Sequence, residues 1–595
     1  MVMSTDNKYA RRIEALRAMM RSKDWDAVVI MAGDPHSSEY PSERYRQCEY
    51  LTGFTGEAAD LVVTLDHAGL WTDSRFFIQA VTQLEGTGVV LHKKGVGGEA
   101  DIAGWLASEF SPEEAVIVVD GECTSVGAAS SLGMEVVSVP NLLDRIWEDR
   151  PSVPQSPIYM IEAGMGRQEK IERVRKAMLD KGCSSILLSS LEDIAWCLNC
   201  RASDIDYNPV IISYLLITED SIEWFVLKTD DCPYEQTLAT ASVLEGEGIG
   251  IRPYQDILYR ASTFQGKMWI DPSSLNLELY SSLLSNSELS LYERKSPVEM
   301  MKAIKNDFEI QSIRQTMIKD GVAMENFIYW LEKSLEAGRE IDEAEAAAKQ
   351  KELRELSPEF RCESFKTISA YGKAGALPHY DTPDYNAPLL QDKGLYLFDS
   401  GAHYTLGSTD ITRTVPLGKC SQLEIEDYTL VLKAHISLAM AIFPEGTPGC
   451  RIDALAREAL WSSKRNFYHG TGHGVGFMMA LHEGPQDIRQ NLNPVPLMSG
   501  MVLSDEPGIY REGLHGVRHE NLLLVRDAGH NEFGHWLEFE PLTLCHLDTS
   551  AIDRSLLTSE QIEWLNDYNR KVYTTLSPYL SSSVAEWLKG KTNAI

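Results

Sequence analysis

The feature that most limits the fold is a pattern that occurs twice in the first 300 residues. RIEALRAMMRSKDWDAVVI (12–30) and KIERVRKAMLDKGCSSILL (170–188) both set apolar residues at helical spacing on a basic background, then run into a short apolar stretch. Ile13, Leu16, Met20, Val28 and Val29 correspond to Ile171, Val174, Met178, Ile186 and Leu187. A second pair follows in the same order: LVVTLDHAGLWTD (61–73) and LLITEDSIEWFVL (215–227), each reading as strand, turn and strand. Two matches in one order and at similar offsets point to a diverged duplication. Each copy is expected to be an α/β domain, because helices alternating with apolar strands bury their apolar stripes against a sheet.

A chain of 595 residues is too long for one core. The proline-containing RPSVPQSPIY (150–159) reads as the linker between the copies, and ERKSPVEMMKAIKNDFEI (293–310) marks a second change of character. Beyond it, NDFEIQSIRQTMIKDGVAMENFIYWLEKSL has the periodicity of a long helix. From about residue 365 to about 545, short apolar strands alternate with Gly, Pro and His turns, as in an antiparallel sheet backed by helices. The expected domains are 1–155, 156–300 and 301–595, the last ending in a helical extension from about residue 550.

Lys and Arg number 55 against 87 Asp and Glu, a net charge of −32, so the chain should repel phosphate backbones and is not expected to bind nucleic acid. MVMSTDNKYARRIEALRAMM scatters charge where a secretory leader needs an apolar stretch. VIISYLLI (210–217) falls far short of the roughly 20 residues of a membrane span, so no membrane partner is expected. The ten dispersed cysteines lack the density of a disulfide scaffold, which suits a cytoplasmic protein with reduced thiols. Cys197 and Cys200 have C-x-x-C spacing, but a structural zinc needs two further ligands and no second such pair exists. A redox pair stays open; small residues in a buried segment is the simpler expectation.

The chemistry concentrates in the third region. GLYLFDSGAHYTLGSTDITRTVPLG (394–418) reads as strand, turn-rich loop and strand, with Asp399 closing the first strand and Asp410 opening the second. A hairpin-like return would set the two carboxylates face to face, where one must hold a proton or a cation must sit between them. Taken singly, each is better explained by capping a turn, which Asp commonly does. HGTGHGVGFMMALHEGP (469–485) supplies His469, His473 and His482. VLSDEPGIYREGLHGVRHENLLLV (502–525) adds Glu506 after one apolar strand and Glu520 before another, positions where carboxylates are rarely buried unpaired. Asp399, Asp410, His473, Glu506 and Glu520 are four carboxylates and one imidazole. That donor set suits two hard or borderline divalent ions, Mn2+ ahead of a thiolate-type zinc. GTGHGVG lacks the spacing of a dinucleotide site and the lysine of a P-loop, and neither G-x-S-x-G nor H-E-x-x-H occurs.

In order and spacing these five positions resemble the ligands of the pita-bread metallopeptidases, the family of methionine aminopeptidases, prolidases and Xaa-Pro aminopeptidases. GDPHSSEY, YLTGFTGEAADLVV and GLWTDSRFFIQA are similar to the first domain of the long, three-domain aminopeptidases P. AWCLNCRASDIDYNPV and SPVEMMKAIKNDFEI are similar to their second domain and its join to the catalytic one. The resemblance covers almost the whole chain and implies two creatinase-like α/β domains ahead of an α+β pita-bread catalytic domain. It implies one ion on Asp399, another on His473 and Glu506, with Asp410 and Glu520 bridging both. The nucleophile it implies is a metal-bridged hydroxide, and the bond cleaved joins an N-terminal residue to a following proline in a peptide. By the same resemblance His379, in GALPHYDTP, assists proton transfer and stabilises the intermediate, and His482 contacts the substrate carbonyl. It also implies that His469 belongs to the pocket for the residue after the scissile bond; Glu506 is expected to double as general base, and Arg518, charged and two residues before Glu520, is expected to orient a ligand carboxylate. Relatives also associate as homodimers through the catalytic region. Two other readings stay open. One is a prolidase, with the same metal site but confined to Xaa-Pro dipeptides and typically shorter. The other is a metal-free binding protein on the same scaffold; such relatives usually lose several ligands, and this chain keeps all five.

Overall fold

The computed structural model, which describes residues 7–226 and 235–595, folds both copies of the repeat with one topology; Leu227, which ends the second copy's matching segment, lies outside the described residues. Helix Lys8–Lys23 buries Ile13, Leu16 and Met20, and helix Arg167–Asp180 buries the matching Ile171, Val174 and Met178. Strand Ala27–Ile30 pairs antiparallel with Ala59–Thr64 and parallel with Ile117–Val119. Strand Ser185–Leu188 pairs in the same two senses with Ser213–Thr218 and Gly266–Ile270. Each sheet has six strands in equivalent order: Val90–Lys93, Ala68–Thr72, Ala59–Thr64, Ala27–Ile30, Ile117–Val119, Val136–Ser138 in the first. The second runs Ile249–Pro253, Ile222–Val226, Ser213–Thr218, Ser185–Leu188, Gly266–Ile270, Leu289–Glu293.

The register is shared as well. Ala27 lies opposite Thr64 and Ser185 opposite Thr218, and Arg17 and Arg175 each donate from Nε to the carbonyl of that threonine at 2.9 Å. Val28, Ile30, Leu61 and Val63 fill one face of the first sheet while Ala27, Val29, Val62 and Trp71 fill the other. A strand buried on both faces has no polar side to show, which is why AVVI (27–30) reads as an unbroken apolar run.

The copies meet about a local two-fold axis. Ser125 and Asn276, the N-caps of helices Val126–Ser131 and Leu277–Leu284, face each other across a β-bridge. Val126 N–H donates to the Leu275 carbonyl at 3.0 Å, and Leu277 N–H returns to the Thr124 carbonyl at 2.9 Å. Gly127 to Pro272 (2.8 Å) is mirrored by Glu278 to Gly121 (3.0 Å). Equivalent residues touching reciprocally is what a two-fold contact requires. These two copies form one compact unit, residues up to Ile161 with Met165–Glu299. Cys197 and Cys200 are free, buried thiols within it, and burial pushes Cys200 up to about 11, so neither is poised for redox chemistry.

The other unit comprises Glu162–Gly164 with Met300–Ile595. Helix Asp307–Glu336 starts at a capping box, Asn306 with Glu309, and is 30 residues long, about 45 Å. Its Met324, Phe327, Ile328 and Leu331 pack on Tyr396, Phe398 and Ile411 of a hairpin formed by Leu395–Tyr404 and Gly407–Pro416. The expected turn-rich loop between Asp399 and Asp410 is corrected here: both strands have ten residues, the chain reverses at Thr405 and Leu406, and both aspartates lie inside strands. SGAHYTLGSTD reads as loop because one face of these strands carries polar site residues in place of apolar ones. Ile368–Tyr371 and Phe360–Glu363 extend this sheet, antiparallel. A second antiparallel sheet runs Ile442–Pro444, Gly534–Pro541, Asn521–Asn531, Val502–Asp505. Helices Gln422–Ala439 and Gly449–Trp461 accompany it, and Ser559–Leu576 and Ser582–Lys591 form the C-terminal extension. Among the described residues no helix is long and apolar enough to cross a membrane.

Candidate metal centre

Strand alternation decides which side chains of the long hairpin can meet. Tyr396 and Phe398 face the helical core, so Asp399 faces away from it. Opposite Asp399 stands Thr412, and Asp410, two residues earlier, stands opposite Gly401. Asp399, Asp410 and Thr412 therefore share one face, the two aspartates as diagonal neighbours. Glu520 joins them because its backbone N–H donates to the Thr412 carbonyl at 3.0 Å, while Thr412 Oγ1 donates to Glu520 Oε2 at 2.8 Å.

His473 arrives from the glycine-rich loop. A side chain at Gly472 would put its Cβ 1.9 Å from the Ser504 carbonyl, so the loop can lie against strand Val502–Asp505 only without one. The His473 N–H donates to Ser504 Oγ at 3.0 Å, and Nδ1 lies 2.9 Å from the Gly474 carbonyl. A carbonyl only accepts, so Nδ1 carries the proton and Nε2 presents a lone pair. That Nε2 lies 3.4 Å from Asp410 Oδ2 and 3.6 Å from Glu506 Oε1. Ligand atoms of Asp410, His473 and Glu520, all buried, lie within 4.8 Å of one another.

The electrostatics of this cluster call for cations. Burial, then the charge of Asp399, pushes Asp410 up to about 8. Glu520 is raised well above the usual carboxylate range by burial and by Asp410, Glu506 and Asp399, and burial raises Glu506 too. Asp399 Oδ1 is buried without a hydrogen-bond partner, although such atoms are normally satisfied. Four carboxylates and a lone-pair imidazole, converging with an orphaned oxygen, fit a pair of divalent ions. Glu325, Cys545 and His546 form another buried group of ligand-type atoms. There both Glu325 oxygens already accept from His546, from its backbone N–H and from Nδ1, each at 2.8 Å, which makes a closed pair.

Beside the carboxylates stands a wall built on a short hairpin, Gly508–Arg511 with His515–Arg518. Arg518 donates to Asp399 Oδ2 (2.6 Å), to Thr412 Oγ1 (3.0 Å) and to Tyr510 Oη (2.7 Å). Tyr510 in turn lies 2.8 Å from His469 Nε2, and His469 Nδ1 lies 2.7 Å from the Gly470 carbonyl. The donors run one way, from guanidinium to phenol to imidazole to carbonyl. Burial and the Arg518 charge depress His469 to about 3, so its ring stays neutral. A Cβ at Gly508 would meet the Tyr510 hydroxyl at 2.5 Å, so the bare backbone there makes room for the phenol.

The five predicted ligands thus converge. His482 joins them with its ring centroid 4.3 Å from that of His473. Its neighbour Glu483 is buried and held by Lys305 Nζ at 2.7 Å and Lys302 Nζ at 3.4 Å. His379, half-buried, lies within electrostatic reach of His469. Tyr510, Thr412 and the Lys302–Lys305–Glu483 group are site residues that sequence reasoning missed. Only the position of Glu483 beside His482 carried a hint of them.

Comparison with known proteins agrees with this geometry. Residues 311–527 match the model of metallopeptidase family M24, and 535–595 match the C-terminal region of peptidase M24. Residues 12–146 and 149–309 each match a creatinase/prolidase N-terminal domain. The chain is 36 % identical to Aminopeptidase P2 of Arabidopsis thaliana over 96 % of its own length and 86 % of that protein. An X-prolyl aminopeptidase from Caenorhabditis elegans, described as a cytosolic enzyme with a di-nuclear active site, superposes with a TM-score of 0.92 at 32 % identity. That match covers 99 % of this chain and 100 % of the other. A Xaa-Pro dipeptidase from Bacillus anthracis, at 25 % identity and a TM-score of 0.52, covers 65 % of this chain with all of its own. A likeness that runs through both creatinase-type domains and on through the catalytic region makes this chain a member of metallopeptidase family M24.

Proposed function

We propose that the chain is an Xaa-Pro aminopeptidase that uses two divalent ions to release the first residue of peptides with proline at position two. The observation that carries this reading is the cluster of Asp399, Asp410, His473, Glu506 and Glu520, largely buried, its donor atoms aimed at one another with Arg518 the one arginine ion-paired to it among the described residues, in a chain similar from end to end to aminopeptidases P. Asp399 would hold one ion and His473 with Glu506 the other, Asp410 and Glu520 bridging; the donor set favours Mn2+. Two such ions lower the pKa of a shared water and polarise a carbonyl.

The chain's own residues do the rest. Glu506, whose carboxyl burial already raises, accepts the proton of the attacking water. His482 and His379 direct N–H donors at the substrate carbonyl as its oxygen gains charge, and the proton that Glu506 took from the water passes by way of His379 to the leaving nitrogen. An Xaa-Pro bond is a tertiary amide with a fixed φ and no N–H, so recognition must come from a pocket fitted to the ring. The neutral His469 and Tyr510 supply that wall. Arg518 holds Asp399 and Tyr510 in place, so the carboxylate it orients in this structure is the protein's own.

The length of the chain favours this reading over a prolidase, and the complete ligand set favours it over a binding protein. Domain limits of 1–155, 156–300 and 301–595, a cytoplasmic location and a homodimer through the catalytic region complete the proposal; a monomer by light scattering would refute the last. Function is tested by hydrolysis of an Xaa-Pro tripeptide beside an Xaa-Pro dipeptide and an Xaa-Ala tripeptide, each with Mn2+ and with chelator. Chelator-sensitive release of the first residue from the Xaa-Pro tripeptide alone is expected. Cleavage of the dipeptide alone would mean a prolidase, and silence from folded, metal-loaded protein would mean a binding protein.

A further inference from the structure

Outside the metal cluster, one buried carboxylate collects more positive donors than a single charge needs. Asp427, on helix Gln422–Ala439, has a fully buried side chain. Its Oδ1 accepts from Arg465 Nε at 2.7 Å and Arg511 Nη2 at 3.0 Å. Its Oδ2 accepts from Arg511 Nε and lies 2.9 Å from His515 Nε2. Arg465 is further paired with Glu426 at 2.8 Å. Arg511 and His515 flank the turn of the short hairpin and pair with each other across it. Arg465 follows helix Gly449–Trp461 and leads into the segment that carries His469.

These donors come from two places: the hairpin bearing Tyr510 and Arg518, and the segment bearing His469. The same two elements meet again at the site, where Tyr510 Oη lies 2.8 Å from His469 Nε2. We propose that Asp427 is a positioning residue that clamps hairpin 508–518 and segment 465–469 to one helix, and so sets the spacing of the His469–Tyr510 wall against which the residue after the scissile bond is held. Asp427 touches no substrate. It acts at the ends of two segments that are anchored elsewhere, the hairpin through Arg518 on Thr414 and the segment through Arg457 on the Phe467 and His469 carbonyls; the hairpin itself is a sheet of two strands only, an arrangement that is marginal by itself. The tether pair, Arg511 with His515, borders the turn, and Tyr510 stands one register pair inward from it. This inference rests on the aminopeptidase reading for its effect on substrate, but not for the clamp itself.

The test uses the full chain, Mn2+-loaded, as wild type, Asp427→Asn, Asp427→Ala, Tyr510→Phe and the Asp427→Ala/Tyr510→Phe double variant. Amide exchange in 508–518 and 465–469 should accelerate by about tenfold or more in the Asp427 variants, while 395–416 and the metal content stay as in wild type. With an Xaa-Pro tripeptide, kcat/KM should fall by about 10- to 100-fold, mostly through KM. The Asp427→Ala and Tyr510→Phe losses should fall short of additivity, because both act through one wall. Unchanged exchange in 508–518, or fully additive losses, would overturn the proposal. If Asp427→Ala fails to fold, Arg511→Gln removes one donor and leaves Arg465 and His515; faster exchange confined to the same segments supports the clamp, and none refutes it. A wild-type enzyme silent on every Xaa-Pro peptide would sink the proposed function, while the exchange experiment would still decide the clamp.

Discussion

Asp427 and the Asp399–Asp410–Glu506–Glu520 group are buried in the same unit and have opposite charge balances. Asp427 is one carboxylate facing two arginines and a histidine, and although burial opposes it, hydrogen bonds from His515, Arg511 and Arg465 hold its carboxyl well below the usual range. In the other group, among the described residues, four carboxylates have one arginine in direct ion-pair contact, Arg518 on Asp399, and burial with the charge of Asp399 lifts Asp410 to about 8. A carboxylate whose partners are built into the protein is a finished structural element. Carboxylates whose partners are missing, in a place the fold has taken care to assemble, are a binding site.

The sharpest way to break this comparison is to remove a bridging carboxylate. Asp410→Ala or Glu520→Ala should cost metal and lower turnover by well over the about 100-fold typical of lost supporting groups, with circular dichroism unchanged. Normal activity in either variant would end the two-ion account. His379→Ala should lower kcat by about 100- to 1,000-fold with metal content intact; metal loss would assign His379 to the ligand set.

Next in size is the buried charge beside His482. Glu483→Ala leaves Lys305 buried without its carboxylate and should destabilise the unit by about 3–5 kcal/mol, read from denaturant midpoints. A change under about 1 kcal/mol would show that Lys302 and Lys305 reach water instead.

Protonation separates the two groups without mutation. Asp410 has its folded pKa above its unfolded value of about 3.9, so in chelated protein the stability it contributes is present at acid pH and lost as pH rises toward about 8. Asp427 has its folded pKa below that value, so its contribution is present at neutral pH and lost as pH falls below about 4. Melting scans of chelated protein between pH 5 and 8 should therefore show stability falling with pH, and Mn2+ should reverse the slope. A rising slope without metal would contradict the charge balance drawn here. The smallest effect is expected from Cys200→Ser, whose buried free thiol lies far from redox range: activity should be unchanged under oxidising and reducing conditions alike.

The duplication was legible in detail because strands buried on both faces and helices with one apolar stripe leave periodic traces; Ile13, Leu16 and Met20 and their counterparts read directly as the buried positions they are. The ligands were legible for a different reason, as charged residues beside apolar strands. The long hairpin reads as a loop where its site-facing side is polar, since two strands that set Asp399, Gly401 and Asp410 on one shared face have the composition of a loop. Tyr510, Thr412 and Asp427 left no trace in spacing, because they act through partners far away in sequence: Thr412 with Glu520, Tyr510 with His469, Asp427 with Arg465, Arg511 and His515. Their roles depend on tertiary contacts that no local pattern encodes.

The measurement that bears most directly on the two-ion site is a calorimetric titration of chelator-stripped, full-length protein with Mn2+ at pH 7, run in two buffers of different ionisation heat. The account predicts two ions per chain, bound with release of protons from the raised carboxyls, and fewer ions for Asp410→Ala. Binding of no ion, or of one ion with full peptidase activity, would contradict it.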